Sequence, residues 1–274
     1  MLQFAPSTFY ATLARTPSPR ELSDTALSVE VLRVFEGNFG VYGAEKVWHQ
    51  LQREGIDAGR DRVARLMKKL GVRGVRRGSP PRTTVPGPDR RPDDLVHRDF
   101  NAPAPNLLWV ADLTYVRLRR RGFAYTAFVI DAFARAIVGW AVSASLSAEV
   151  CLDALEVAIW SRKDDNGGLP GLVHHSDRGA QYTAIRYSRR LDDAGVAPSV
   201  GSKGDSFDNA LAEAVNGLYK AEMVWPQGPW SSASELEAAT GAWVAWWNRA
   251  RIHSACGWAT PAEVEAAFWA VQGK

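Results

Sequence analysis

The sequence predicts an α/β protein built on a mixed five-stranded sheet flanked by helices, with a small basic helical region ahead of it. Three observations predict this. Two β-rich runs, LLWVADLTYVRL and GFAYTAFVIDAF, follow one another across a short RRRG link, and a third, RAIVGWAVS, comes directly after. From Ser147 onward, helical and strand-like segments alternate, which requires some parallel pairing in the same sheet. Ahead of both, between Val41 and Arg91, there are thirteen Lys and Arg but only five Asp and Glu. That is a net of +8 in a chain whose total is +3, so the remainder carries −5. A basic third beside a mildly acidic remainder is the charge pattern of a polyanion-binding module joined to a second function.

At the N-terminus, MLQFAPSTFYATLAR lacks a basic head followed by a long apolar run, so no signal peptide is expected. No apolar stretch of about 18 residues is present to cross a membrane. The two cysteines, Cys151 and Cys256, form no CxxC pair, which argues against a zinc site or a disulfide framework. Two short helices are expected between Tyr42 and Gly71. In the first, Ala44, Val47, Trp48 and Leu51 have the spacing of one buried helical face. Val63, Leu66, Met67 and Leu70 repeat it in the second, and Gly55 separates the two. The second helix carries Arg62, Arg65, Lys68 and Lys69 off its apolar stripe, and two helices around a glycine turn with a basic second member fit a helix-turn-helix. Between Ser79 and Pro105 lie seven of the fifteen prolines, the composition of an extended linker. The expected organisation is therefore a helical, helix-turn-helix-like DNA-binding region at 1–78, a linker at 79–105, an α/β core at 106–225 and C-terminal helices at 226–274.

Within the core, the three runs read as strands and Ser147–Ser161 as a helix with Val150, Ala154, Val157 and Ala158 on one face. GLVHHSD then reads as a short strand, followed by a helix, a strand near Ala197–Val200 and further helices. Three carboxylates stand out on this scaffold. Asp112 lies inside an apolar strand, where a lone acid is costly unless it is paired or binds a cation. Asp177 ends the LVHHSD strand. Glu213 sits on the helix DNALAEAVNGLYKAE, in which Leu211, Ala214, Val215 and Leu218 face one way and Asn209, Glu213, Asn216 and Lys220 the other. Two strands and a helix that each present an acid suit a pair of Mg²⁺ (or Mn²⁺) ions, which prefer a few carboxylates plus water and phosphate oxygens.

The flanks of these acids narrow the reading. WVADLTYV, HHSDRGAQY and GDSFDNALAE, with 35 residues between Asp177 and Glu213, resemble the integrase core of insertion-sequence transposases. They are similar in particular to the second-reading-frame product (OrfB) of the IS-three family, bacterial mobile-element enzymes related in fold to retroviral integrase. AFVIDAFARAIVGW matches the family's second and third strands, and Lys220 its basic position seven residues past the glutamate. WNRARIH matches its late element through Asn248, Arg251 and His253, and VYGAEKVWHQLQREGIDAGRDRVARLMKKLGVRGV resembles its helix-turn-helix region. The similarity runs from about residue 4 to 265.

The resemblance implies an RNase H-like core and a transposase that cleaves DNA at the element ends and then joins the freed 3′-OH to target DNA. It implies that Asp112, Asp177 and Glu213 hold two divalent ions, that Arg62, Arg65, Lys68, Lys69, Asn209, Lys220 and Arg251 contact DNA, and that the enzyme acts as a homo-oligomer on DNA in the bacterial cytoplasm, with the nucleoid. The family's first-frame segment (OrfA), with its leucine zipper, has no counterpart here, so a fusion with it or binding to it is a further implication. Two other readings fit parts of the sequence: an RNase H-like nuclease that only hydrolyses, and a helix-turn-helix regulator without catalysis. Asp131, His174, His175, the tryptophans Trp243, Trp246 and Trp247, and the hairpin-tip cations Arg117, Arg119, Arg120 and Arg121 are secondary candidates, each with a structural alternative.

Overall fold

A computed structural model describes residues 16–76, 102–120, 122–163, 169–177, 181–182, 185–200 and 209–273. The chain divides into two compact units, Met1–Val75 and Arg76–Lys274. The proline-rich segment expected at 79–105 lies outside the described residues except for its last four positions.

Among the described residues the smaller unit contains three helices: α1 (Pro19–Gly37), α2 (Ala44–Arg53) and α3 (Arg60–Lys69). The apolar spacing of the sequence predicts α2 and α3 but not α1. The start of α1 is nonetheless written locally. Ser18 Oγ accepts the Glu21 N–H at 3.2 Å, the Glu21 carboxylate accepts the Ser18 N–H at 2.6 Å, and Pro19 opens the first turn. Leu27, Val31 and Val34 of α1 are buried in one small core with Val47, Leu51, Val63, Leu66 and Met67. Leu70, expected on the same stripe, is exposed instead, because the chain turns out of the helix at Gly71, which takes φ 72°.

The larger unit carries five strands, β1 (Leu108–Arg117), β2 (Phe123–Asp131), β3 (Ile137–Ser143), β4 (Val173–Ser176) and β5 (Ala197–Val200), in the spatial order β3-β2-β1-β4-β5. The first three pair antiparallel, whereas β1 with β4 and β4 with β5 pair parallel. This is the mixed five-stranded RNase H-like sheet the sequence predicts. Helices α4 (Ala148–Arg162) and α5 (Ile185–Asp193) join the parallel members. They are followed by α6 (Ala210–Tyr219), a π-helical turn (Lys220–Val224), α7 (Ala233–Arg249) and α8 (Pro261–Val271).

One core forms where α4 lies on the sheet and contains Trp109, Ala111, Val129, Val138, Val150, Cys151, Ala154 and Leu155. The approach of α4 to β3 is close: a Cβ on Gly139 would stand 2.1 Å from the Ala154 carbonyl oxygen. Val157, expected on the buried face of α4, is exposed. A second core is aromatic. Phe128 meets Tyr219 at 5.0 Å between ring centroids, Tyr219 meets Trp243 at 5.2 Å and Trp243 meets Trp247 at 4.9 Å. Trp243, Trp246 and Trp247 are thus packing residues, all buried. Among the described residues no helix is long and apolar enough to cross a membrane.

Candidate active site

Parallel pairing of β1 with β4 brings the first two acids together. The register runs from Leu108 opposite Val173 to Ala111 opposite Ser176. Continued by one residue, it sets Asp112 beside Asp177, just where β4 ends and the two strands part. Neighbouring strands are about 4.8 Å apart. The site thus lies past the C-terminal end of β4, between strands whose chain connections run off in opposite directions, the place where ligands of α/β sheets commonly sit. Helix α6 packs across β1 and carries Glu213 in its first turn, where the positive end of the helix dipole favours an acid.

The electrostatics confirm that the three carboxyls sense one another. Burial, with the negative charges of Asp177 and Glu213, pushes Asp112 from 3.8 up to about 7, although the Leu113 N–H and Asn216 side chain both stabilise its anion. Glu213 is raised too, first by desolvation and then by Asp177. Hydrogen bonds fix the Asp112 carboxylate at both oxygens: the Leu113 N–H donates to Oδ1 at 2.8 Å and the Asn216 amide to Oδ2 at 2.8 Å. Asn216 stands on the polar stripe of α6, three residues past Glu213, and that spacing is the signal by which sequence reasoning could have assigned it. Its own Oδ1 is buried with no partner among the described residues.

Lys220 completes the cluster. It is half-buried, desolvation lowers its pKa, and the charge of Asp112 partly offsets that shift. Behind the acids, burial pushes the Cys151 thiol up to about 12, which leaves it an inert packing group.

As donors for a metal, three carboxylates without a thiolate or an available imidazole suit a hard cation. The nearby histidines are engaged elsewhere, His174 Nε2 with the Tyr187 hydroxyl at 3.0 Å and His175 Nδ1 with Ser199 Oγ at 2.9 Å. The acids do not close into a ready-made cage. Among the described residues no group of three or more His, Cys, Asp or Glu side chains is placed to hold an ion.

Comparison with known proteins decides what this arrangement belongs to. Residues 102–206 and 194–261 match integrase core domain families, and residues 21–80 match an HTH-like domain family. A Mycobacterium tuberculosis protein assigned as transposase to insertion sequence element IS986/IS6110 is 52% identical over 271 residues, 98% of this chain and 97% of that protein. The chain belongs to the insertion-sequence transposases. The transposase for insertion sequence element IS629 of Shigella sonnei is 46% identical over 277 residues, covering 99% of this chain and 91% of that one. Among solved structures, the HTLV-2 integrase catalytic core domain in complex with magnesium is 16% identical, with a TM-score of 0.42, over 60% of this chain and 98% of that one. An HTH-like region ahead of an integrase core is the IS-three arrangement, so the enzyme is a DNA-binding polynucleotidyl transferase.

The transposase places its remaining candidate residues unevenly. Arg251, expected at DNA, is 4% exposed. Its Nη2 donates to Glu222 Oε1 at 2.6 Å and its Nε to Oε2 at 2.9 Å, and its guanidinium lies 4.5 Å from the Trp247 ring centroid. Asn209 is 6% exposed and donates to the Ala111 carbonyl at 2.9 Å, tying the start of α6 to β1 one residue before Asp112. Burial, which spacing does not reveal, turns both expected DNA contacts into internal braces.

Arg62 and Arg65 each donate to the Asp24 carboxylate at 2.8 Å, whereas Lys68 and Lys69 are exposed. Asp131 is structural: it accepts the N–H of Asn106 at 2.7 Å and of Phe133 at 2.9 Å.

Proposed function

We propose that Asp112, Asp177 and Glu213 are the catalytic acids of this transposase and that they hold a pair of Mg²⁺ or Mn²⁺ ions. The observation that carries the reading is the convergence of the acids: the β1–β4 register leads directly to Asp112 and Asp177, and the charge of Asp177 disfavours the anions of both Asp112 and Glu213, which a divalent cation would relieve. When bound, such a pair supplies an activated attacking oxygen and stabilises the leaving one in an in-line displacement at phosphorus. The chain's own groups do the positioning. Leu113 and Asn216 lock the Asp112 carboxylate in one orientation, and Asn209 braces the helix that presents Glu213. Lys220 puts a cation beside the acids, where a scissile or flanking phosphate would lie.

The reaction has two steps at one site: hydrolysis of a phosphodiester at the element end, then attack of the freed 3′-OH on a target phosphodiester. Lys68 and Lys69, with the exposed parts of Arg62 and Arg65, supply phosphate contacts in the smaller unit. Assembly as a homo-oligomer on DNA and association with a first-frame partner belong to the same proposal.

The test is a cleavage and joining assay on labelled DNA carrying the ends of the element that encodes the protein, with Mg²⁺ and then Mn²⁺. Asp112→Ala, Asp177→Ala and Glu213→Ala should each abolish both products while the DNA mobility shift persists. Joining at the wild-type rate by any of the three defeats the assignment. Hydrolysis without joining by the wild type would make the enzyme a nuclease.

A further inference from the structure

Two large aromatic side chains stand exposed near the proposed catalytic acids. Tyr115 lies on β1, three residues past Asp112, and Phe123 opens β2; they are 44% and 42% exposed. Tyr115 sits opposite Tyr125 and Phe123 opposite Arg117, so the two are diagonal neighbours across the hairpin. Their rings meet edge to face with centroids 5.4 Å apart. The Lys220 ammonium lies over the Tyr115 ring, 4.9 Å from its centroid. On the same hairpin Arg117, Arg119 and Arg120 are exposed, with no acidic partner among the described residues.

Single exposed aromatics are ordinary. A contacting pair with one cation over a ring, and three more on the same hairpin, is matched to a ligand with a flat apolar face and a negative charge. The pair is also held in place. Leu118 bridges to Trp230, and the Arg119 N–H donates to the Trp230 carbonyl at 2.7 Å. The Trp230 indole in turn donates to the Val224 carbonyl at 3.0 Å, at the end of the π-turn that begins with Lys220. The hairpin and Lys220 thus share one frame.

We propose that Tyr115 and Phe123, with Lys220, form a stacking subsite for an unpaired nucleobase of the DNA end being processed. This rests on Asp112 marking the reacting phosphate. Tyr115 stands about 10 Å along β1 from Asp112 and on the alternate face, and Lys220, which covers the Tyr115 ring and feels the charge of Asp112, spans the two; the separation matches about three nucleotides of stacked strand at 3.4 Å each. Any base offers a face to an aromatic ring, so the subsite is tolerant of sequence, while the lysine takes the attached phosphate. Its use is to hold a frayed end open beside the acids.

The probe is the full-length chain with two DNAs: the element end fully paired, and the same end with three unpaired nucleotides, one of them 2-aminopurine. Binding of the tailed DNA should quench 2-aminopurine fluorescence. Tyr115→Ala and Phe123→Ala should each weaken tailed binding by about fivefold or more and leave the paired duplex within about twofold. Tyr115→Trp should keep the quench, which guards against misfolding of the alanine variants. An unquenched wild type, or equal loss on both DNAs, overturns the subsite. So does unchanged tailed binding by Tyr115→Ala with a fall in oligomer mass, which would make the pair an interface between copies. Asp112→Asn separates the two claims: it should quench normally and fail to join. If it joins normally, the catalytic assignment fails whatever the quench shows.

Discussion

Asp112 and Glu222 are carboxylates withdrawn from water in the same unit, and their surroundings treat the charge in opposite ways. Glu222 is 4% exposed, and Arg251 grips both of its oxygens. Arg251 Nη1 also donates to His253 Nδ1 at 3.1 Å, because a guanidinium cannot accept. His253 therefore carries its proton on Nε2, 3.2 Å from the Trp247 carbonyl that accepts it. Every charge in that knot is answered from within the chain. At Asp112 the nearest charges include two more acids, and neutral amides do the orienting. An acid answered internally is architecture; an acid left unanswered among others is poised for an external cation and for chemistry.

Asp112→Asn bears most heavily on this contrast. A carboxyl whose folded value stands near 7 against 3.8 holds its proton longer when folded, so the metal-free protein loses stability as pH rises from 3.8 through about 7. D112N should be as stable as the wild type or more so at pH 8, although one oxygen acceptor is lost. Joining should fall by about a thousandfold or more, since a metal supplies several kcal/mol to the transition state. A large drop in melting temperature would mean that Asp112 is structural after all.

Glu222→Ala tests the other side. Removing one partner of a buried pair leaves an uncompensated charge, so the larger unit should lose about 3–5 kcal/mol in urea denaturation. Adding Arg251→Met should recover much of that loss, because an apolar replacement needs no partner. No recovery would mean that the knot acts through something other than charge.

His174 gives a third, pH-dependent effect. Burial lowers it from 6.5 to about 4, so it folds neutral. Its contribution is intact above 6.5 and is lost as pH falls from 6.5 through about 4, on the order of 3 kcal/mol in full. A chain with His174→Gln should show a shallower fall in melting temperature across that window. Parallel curves would remove His174 from the account.

The smallest effect is at Asp24, whose pKa is lowered by hydrogen bonds from Arg65 and then Arg62. Asp24→Asn should release both guanidinium groups toward DNA. The log K against log salt slope should then steepen by up to about 0.9 for each additional phosphate neutralised. An unchanged slope would show that neither arginine reaches phosphate.

Much of this protein is legible before folding. The strand runs, the three acids with their spacing, and the basic second helix of the small unit are local patterns, and secondary structure follows local patterns. Helix α1 escapes the periodicity although Ser18 and Glu21 spell its start, because Leu22 and Val29 are exposed and Asp24 is buried, which blurs its apolar stripe. On α6 the packed face differs from the one its spacing suggests. Ala212, Asn216 and Tyr219 join Val215 in burial, while Ala214 and Leu218 are only half-buried. The family is legible in residue order alone, since motifs and their flanks survive any change of packing. Which polar groups face inward is settled by packing, because burial depends on which distant segments meet. Arg251 is buried because Glu222 and Trp247 meet it there, a meeting no spacing contains; the spacing of Asn216 puts it on the stripe of Glu213, but only the crossing of α6 over β1 sets it on Asp112.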